Sequence, residues 1–316
     1  MTLDAVTIGN ATIDAFLILA GSNSAVSLDN VHKRLCVDYG QKIPLESCDF
    51  FLGGNACNVA VGLSRAGFKT AIIAEIARDE FSEKILNGLK KEDVETDFLL
   101  RGEGQSSFSI ALNFQGERTL FVEHRDRQHN FNLNEIEAKA LYLTSLGHTW
   151  QHVYKKVAAY LQMRREVVLA FNPGTTQFLD GVKTFDFIFP LTTILFVNRE
   201  EAEKIVGRKE DIPSLLADLQ ATGAKIVSLT DGARGGYAID EQGKIHHQPI
   251  ITCPVVERTG AGDAYATGFL AAFMQGQPVS TCMLWGAHNA ASVIGQIGAQ
   301  PGLLRKEELE MKNPKF

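Results

Sequence analysis

Short apolar segments alternate with helical segments along most of the chain, and this alternation constrains the fold more than any other feature. The apolar segments are rich in β-branched residues and are apolar on both faces, which is typical of parallel strands covered from two sides. The alternation therefore predicts a three-layer α/β sandwich with a mostly parallel central sheet. The predicted strands are 5–8, 70–73, 167–171, 193–197 and 225–229, and the predicted helices are 55–66, 80–91, 134–140, 153–164, 198–206 and 214–222.

Two segments interrupt the alternation. Residues 13–52 hold strand-like pieces at 13–19, 35–37 and 42–45 without a convincing helix, and residues 106–122 have the pattern of a β-hairpin. We infer a small β lid, made of 13–52 and 106–122, inserted into an α/β body made of 1–12, 53–105 and 123–316. Because unpaired strand edges seek partners, the lid also predicts a homodimer.

Composition excludes several other classes of protein. The 316 residues carry a formal net charge of −6 and no basic run, which argues against a nucleic-acid surface. The longest apolar stretch, 185–197, contains Asp186 and Pro190 and is too short to cross a bilayer. Five cysteines without a CxxC pair favour a reducing, cytoplasmic location and neither a disulfide framework nor a zinc ribbon.

The most informative motif is a glycine turn at Gly260, Ala261 and Gly262, followed by Asp263 and a helical segment. A helix that begins at such a turn presents free N–H groups and a partial positive charge, which suits an anion. Asp263, at this positive end, could accept a hydroxyl proton while the oxygen attacks phosphorus. The alternatives are that Asp263 only caps the helix, or that the turn is a dinucleotide-binding loop, whose position after a first strand is not met here.

A second motif, from Gly53 and Gly54 through Asn55 to Asn58, leads into the helix predicted at 55–66. Paired glycines allow the backbone to approach a ligand closely, and the amide of Asn58 could both donate to and accept from hydroxyl groups. Close packing of small helical residues explains the same pattern equally well.

Together these two motifs resemble the N-terminal and C-terminal signatures of the ribokinase (PfkB) family of carbohydrate and nucleoside kinases. The resemblance covers nearly the whole chain and implies a ribokinase-like α/β sandwich with a β lid. It implies that Asp263 is the catalytic base and that Gly260, Ala261 and Gly262 form the anion hole. Residues matching the substrate-binding positions of the family are Asp14, Gly53, Gly54 and Asn58.

The resemblance also implies ATP and Mg²⁺. Asn198 and Glu201 match an Asn-x-x-Glu motif in which the glutamate would hold Mg²⁺ through water, although both side chains also suit a helix start. Thr230 and Gly232 match a nucleotide loop, or an ordinary glycine-rich hairpin. Asn289 matches the helix beside adenine, or a packed helix of small residues. The remaining cofactor candidate is K⁺, since Glu257, Gly298 and Ala299 match a monovalent-cation site in which many members carry Asp at the first position.

Several charged residues near the predicted lid stay ambiguous. Arg118, Arg125 and Arg127 could contact a phosphorylated substrate, although a solvated cluster is the commoner meaning of such arginines. His124 and His129 are predicted to be surface residues without a metal-ligand spacing.

The predicted function is ATP-dependent phosphorylation of a hydroxymethyl group of a small sugar, in the manner of a ribokinase or fructokinase. A nucleoside kinase of the same family is the first alternative. A catalytically silent binding protein on the same scaffold is the second. We expect a small-molecule sugar or nucleoside as partner, and neither a nucleic acid nor a membrane.

Overall fold

The computed structural model describes residues 2–21, 24–115, 117–123 and 125–312. Its strands are β1 (Leu3–Ile8), β2 (Thr12–Leu19), β3 (Val26–Asp29), β4 (Arg34–Val37), β5 (Leu45–Gly53), β6 (Thr70–Ile73), β7 (Glu75–Ile76), β8 (Leu100–Arg101), β9 (Phe108–Phe114), β10 (Glu117–Glu123), β11 (Ala138–Leu143), β12 (Val168–Phe171), β13 (Ile194–Asn198), β14 (Ile226–Thr230), β15 (Gly236–Ile239) and β16 (Ile245–Gln248). Its α-helices are α1 (Asn55–Arg65), α2 (Glu80–Lys91), α3 (Trp150–Met163), α4 (Thr175–Asp180), α5 (Arg199–Val206), α6 (Ile212–Ala221), α7 (Ala261–Met274), α8 (Val279–Ile294) and α9 (Lys306–Glu310).

An eight-stranded sheet in the order β16-β15-β14-β13-β12-β11-β1-β6 forms the centre of the molecule. The strands from β6 to β14 in this order are parallel, and the two strands at the β16 edge are antiparallel. Consecutive side chains of a strand point to opposite faces, so each central strand contributes to two apolar cores. Leu141 and Leu169 pack with α3 and α6 on one face, whereas Ala140 and Ala170 pack with α1, α7 and α8 on the other.

Close contacts between three helices bring the two sequence motifs together. A Cβ on Gly62 of α1 would lie 2.5 Å from the side chain of Thr267 in α7. A Cβ on Gly268 of α7 would lie 2.5 Å from the carbonyl oxygen of Trp285 in α8. Because glycine permits this approach, the beginnings of α1 and α7, which are 206 positions apart in the sequence, lie side by side on one face of the sheet.

A separate four-stranded sheet in the order β10-β9-β2-β5 lies beside the body. The hairpin predicted within 106–122 is present as β9 and β10, and the piece predicted at 13–19 is β2. The piece predicted at 42–45 is instead a longer strand that begins at Leu45 and continues to Gly53, directly before α1. A further antiparallel ribbon, β3 with β4, packs against one end of this sheet through Val26, Leu28 and Leu35.

The three-layer α/β prediction is confirmed, and one of its elements is wrong. Residues 134–140, predicted as a helix, form a turn followed by β11, because Ala138–Leu143 pairs on both sides with β1 and β12. Tertiary pairing overrides the helical spacing of this segment. Among the described residues, no helix has the length and apolar character required to cross a membrane.

Candidate active site

The glycine turn and the first turn of α7 form one wall of a cleft with a volume of about 330 Å³. Gly260 precedes the helix with a φ of 77°, a conformation that glycine adopts without strain, and a Cβ there would lie 2.4 Å from the Cβ of Ala299. A Cβ on Gly262, by contrast, would meet no atom within 4 Å. The cleft is therefore open in front of Gly262, and the N-terminal end of a 14-residue helix faces it.

Asp263 does not cap α7, because the residue at the cap position is Gly260, and within the part of the chain that the structure describes no side chain forms a capping hydrogen bond there. Its carboxylate lines the cleft and is held by two amides: Nδ2 of Asn55 donates to Oδ1 at 2.9 Å, and Nδ2 of Asn58 donates to Oδ2 at 2.8 Å. Burial raises the pKa of Asp263 to about 6, and the two amide hydrogen bonds oppose that rise. The carboxylate is thus mostly ionised at neutral pH and remains basic enough to take a proton.

Asn58 is buried, and both of its polar atoms have protein partners. Its Oδ1 accepts from Nε2 of Gln300 at 3.1 Å while its Nδ2 donates to Asp263. This arrangement orients Asn58 toward the carboxylate. The structure therefore gives Asn58 an orienting contact with Asp263, whereas sugar contact by Asn58 stays a prediction.

Asp14 is buried within β2. Burial raises its pKa to about 6, and hydrogen bonds from Ser109 and Thr12 oppose the rise. A Cβ on Gly53 would lie 2.1 Å from Oδ2 of Asp14, so only glycine fits opposite this carboxylate. Gly54 has a φ of 90°, and a Cβ there would lie 2.4 Å from the carbonyl oxygen of Asn10.

At the other end of the cleft, Asn198 and Glu201 form a reciprocal cap on α5. Oδ1 of Asn198 accepts from the backbone N–H of Glu201, and Oε2 of Glu201 accepts from the backbone N–H of Asn198, both at 2.9 Å. Both residues also line the cleft, so the capping interpretation and a ligand role are compatible. Burial raises the pKa of Glu201 to about 7, against the hydrogen bonds from Asn198 and the charge of Lys204.

Thr230, at the end of β14, also lines the cleft. The loop after it is a hairpin, since Thr230 pairs with Gly236 of the antiparallel β15. Asp231 in this loop receives hydrogen bonds from the guanidinium of Arg234 at 2.6 and 2.7 Å, which hold its pKa below the usual range. Gly232 has a φ of 53° and open space around it.

Asn289 lies away from the cleft, and its geometry gives no support to adenine contact. It is fully buried in α8, where Nδ2 donates to the carbonyl oxygen of Ala264 at 2.7 Å and Oδ1 accepts from the backbone N–H of Leu304 at 2.8 Å. Its amide therefore ties α8 to α7 and to the segment before α9. These contacts agree with the alternative interpretation, in which Asn289 belongs to a packed helix of small residues.

Of the predicted residues, the cleft lining brings together Asn198, Glu201, Thr230, Gly260, Ala261, Gly262 and Asp263. Asp14, Gly53, Gly54, Asn58, Gly232 and Asn289 are not among the described residues of that lining. Sequence reasoning missed Asn55 and Arg258, which stand within or next to the two motifs, and Leu120, whose position on the hairpin was the available signal.

Arg118 and Glu257 also meet at the cleft. Nη1 of Arg118 donates to Oε1 of Glu257 at 2.6 Å, and the backbone N–H and the hydroxyl of Thr259 donate to the same carboxylate at 2.7 and 2.9 Å. The carboxylate expected at a K⁺ site thus has a guanidinium as its counter-ion. The K⁺ site predicted at Glu257, Gly298 and Ala299 stays a prediction.

The prediction of surface exposure is wrong for His129 and the solvated interpretation is wrong for Arg127, while His124 lies outside the described residues. His129 and Arg127 are 1% and 5% exposed. Nη1 of Arg127 donates to the carbonyl oxygen of Glu103 at 2.7 Å, and burial lowers the pKa of His129 to about 4. Arg125, in contrast, is exposed and forms an ion pair with Glu123.

Solved structures with the same architecture define the fold class. The chain superposes on a ribokinase from Thermotoga maritima with a TM-score of 0.79 and 18% identity, covering 98% of this chain and 99% of that one. It superposes on the ribokinase of Arabidopsis thaliana, solved with ribose and ATP, with a TM-score of 0.77 and 18% identity over 99% of both chains. The fold is therefore ribokinase-like.

Sequence comparison then gives the family. The model of the pfkB family of carbohydrate kinases matches residues 22–306. An uncharacterized sugar kinase of Archaeoglobus fulgidus is 30% identical over 78% of this chain and 99% of its own length. The fructosamine kinase FrlD of Bacillus subtilis is 28% identical, over 83% of this chain and 89% of its own length. The chain belongs to the pfkB family of carbohydrate kinases, and the prediction of a sugar kinase is confirmed.

Proposed function

We propose that the protein transfers the terminal phosphoryl group of ATP to a hydroxymethyl group of a small sugar or sugar derivative, with Asp263 as the base. The observation that carries this proposal is the buried Asp263 carboxylate, which faces the cleft at the start of α7 beside an open Gly262. The carboxylate accepts the proton of the acceptor hydroxyl as the oxygen attacks the phosphorus in line. The N–H groups at 260–262, of which that of Ala261 donates to the carbonyl oxygen of Arg258 at 3.3 Å in the ligand-free protein, would stabilise the charge that develops on the phosphoryl oxygens.

Mg²⁺ would be held near Glu201, which offers one cleft-facing carboxylate. Among the described residues no three or more His, Cys, Asp or Glu side chains cluster as a metal site, so the other ligands would be phosphate oxygens and water, as Mg²⁺ prefers. When bound, the ion neutralises phosphate charge. Asn198 orients Glu201 through their reciprocal hydrogen bonds, and Thr230 and Gly232 would lie near the phosphates.

The lid, 13–52 and 106–122, would cover the acceptor and exclude water. Asp14, beside Gly53 and Gly54, would bind acceptor hydroxyls on its inner face. On the outer face, Phe50 and Phe121 are 40% and 55% exposed, which supports a homodimer through the lid. The molar mass in solution tests the dimer. A cytoplasmic location is likewise a proposal, supported by five free cysteines.

The acceptor class is tested with a panel of small molecules. The relatives include enzymes named fructosamine kinase and 5-dehydro-2-deoxygluconokinase, so the panel contains a fructosamine and 5-dehydro-2-deoxygluconate beside ribose, fructose and adenosine. ADP release is measured with ATP and Mg²⁺, and ³¹P NMR locates the phosphate. We expect a sugar-class acceptor to be phosphorylated on a hydroxymethyl oxygen. Turnover with adenosine only would favour a nucleoside kinase. Binding of a ligand without turnover would favour a catalytically silent binding protein.

The pH dependence of kcat/KM follows from the raised pKa of Asp263. A base works in its ionised form, so activity falls as the pH drops through about 6, and at pH 5 it is about tenfold below its plateau. Initial rates between pH 5 and pH 8.5 at saturating Mg²⁺ measure this limb. A profile that stays flat down to pH 4.5 would contradict the assignment of Asp263 as base.

Replacing Asn58 by alanine moves the acidic fall of kcat/KM to higher pH. The hydrogen bond from Asn58 lowers the pKa of Asp263, so its loss leaves the rise caused by burial less opposed. The turnover number also falls about tenfold, since the carboxylate loses one of its two orienting amides. The exposed Asn132 provides the matched control, Asn132→Ala. An unshifted pH limb in a folded Asn58→Ala protein would argue against the orienting contact.

A further inference from the structure

An ion pair joins the four-stranded sheet β10-β9-β2-β5, which we call the lid sheet, to the segment that precedes the glycine turn. Arg118 belongs to β10, whereas Glu257 and Thr259 belong to the body immediately before Gly260. Nη1 of Arg118 donates to Oε1 of Glu257 at 2.6 Å and also contacts the hydroxyl of Thr259. This contact connects two regions that are 139 positions apart in the sequence.

The strand register places Arg118 on the inner face of the lid. Arg118 lies opposite Asn113 of β9, and Asn113 lies beside Ile18 of β2. Side chains at directly paired positions share a face, and Ile18 lies on the same face as Asp14 because they are an even number of residues apart. Arg118 therefore lies on the same face of the sheet as Asp14, and it lines the cleft with Asp263.

Because Glu257 is buried, removing either side chain of this ion pair is costly to stability. The side chain of Glu257 is 4% exposed and that of Arg118 is 33% exposed. A carboxylate that loses its counter-ion while it remains buried is costly, so this contact favours the arrangement in which β10 touches the body. The neighbouring Arg258, in contrast, is exposed.

The Glu257 carboxylate also holds the backbone of Thr259, the residue directly before Gly260. Both carboxylate oxygens of Glu257 accept from Thr259, one from its backbone N–H at 2.7 Å and one from its hydroxyl at 2.9 Å. The backbone N–H of Glu257 donates to the carbonyl oxygen of Ile294 in α8 at 3.1 Å. Arg118 thus closes a set of contacts around the residue that directly precedes Gly260.

We propose that Arg118 is a positioning residue for phosphoryl transfer: through Glu257 and Thr259, β10 holds the glycine turn in its working geometry when the lid is in contact with the body. This inference rests on the proposed function, and it makes alignment of the N–H groups at 260–262 depend on the position of the lid. A small displacement of groups that stabilise a transition state has a large effect on rate and a small effect on ground-state binding.

The kinetic test compares Arg118→Met with Arg118→Lys and with Arg34→Met, a control at an exposed lid arginine of β4. For Arg118→Met we expect kcat to fall about 30-fold or more while the KM for ATP and for the acceptor changes less than about threefold. Arg118→Lys restores part of kcat, since an ammonium keeps the charge and one contact. The double variant Arg118→Met with Glu257→Gln loses less kcat than the product of the two single losses, because both changes remove the contact between Arg118 and Glu257.

Hydrogen exchange on the ligand-free protein provides a second readout that does not depend on activity. Arg118→Met should accelerate amide exchange at 259–263, and Glu257→Gln should accelerate it at 117–123, while Arg34→Met changes neither segment. If the wild-type enzyme phosphorylates no acceptor, the proposed function fails, and these exchange data still decide whether the pair couples lid and turn.

Three results would overturn the proposal. One is a folded Arg118→Met enzyme with unchanged kcat and unchanged exchange at 259–263. Another is a raised KM for ATP with unchanged kcat, which would make Arg118 a ground-state contact of the nucleotide. The third is a raised KM for the acceptor alone, which would assign Arg118 to acceptor binding. Circular dichroism and thermal melting of each variant exclude loss of fold as the cause.

Discussion

Asp263→Asn lowers the turnover number for phosphoryl transfer by about three orders of magnitude, the expected effect of removing a general base. The asparagine amide fills the same volume but cannot take the proton of the acceptor hydroxyl. It also leaves the glycine turn and the cleft lining in place, so ATP still binds. The measurements are kcat from ADP release and nucleotide affinity from calorimetry. A variant with near-normal turnover would refute the role of Asp263.

Thermal melting at several pH values shows whether this variant keeps its fold. The pKa of Asp263 is raised to about 6 in the folded protein from 3.8, so its favourable contribution to stability is present at low pH and is lost as the pH rises through about 6. The neutral variant has no such loss. We therefore expect the Tm of Asp263→Asn relative to that of the wild type to increase from pH 5 to pH 8. A relative Tm that decreases over this range would contradict the raised pKa.

Gly262→Val is expected to abolish most activity, with kcat/KM reduced about 100-fold or more, while the protein still folds. A Cβ on Gly262 meets no atom within 4 Å, so the valine side chain starts in open space. That space lies in the cleft next to Asp263, where the proposed mechanism brings the terminal phosphoryl group to the glycine turn.

Two other glycines serve as comparisons. Gly21, which also has open space around it, lies outside the cleft lining, so Gly21→Val should retain activity. Gly260→Ala should instead destabilise the protein, since its Cβ would lie 2.4 Å from that of Ala299 at a φ of 77°. A fully active Gly262→Val enzyme would mean that the phosphoryl group does not bind at this turn.

Much of the fold could be predicted from the sequence, because parallel strands that are covered on both sides leave an unmistakable pattern. The segments 70–73 and 80–91 are predicted to the residue, the first from its continuous apolar run and the second from its helical spacing. Residues 134–140 fail because their helical spacing is real, yet β11 is needed between β1 and β12. Such a pairing depends on residues that are far away in the sequence.

The candidate site also has a part that the sequence predicts and a part that it does not. The residues near the glycine turn could be predicted because a local backbone conformation and helix end determine their chemistry. The contact between Arg118 and Glu257 could not, since it depends on where the lid sheet meets the body. The environment of Asn289 could not be predicted either, because its two hydrogen-bond partners lie 25 and 15 positions away in the sequence. His129 shows that a polar residue in a loop can be buried.

The most direct test of the central claim is a crystal structure with a non-hydrolysable ATP analogue, Mg²⁺ and the acceptor identified by the panel. We predict that an Asp263 carboxylate oxygen lies within about 3.2 Å of the hydroxymethyl oxygen, with that oxygen in line with the terminal phosphorus. An acceptor hydroxyl that contacts a different base, with Asp263 beyond about 5 Å, would contradict the mechanism.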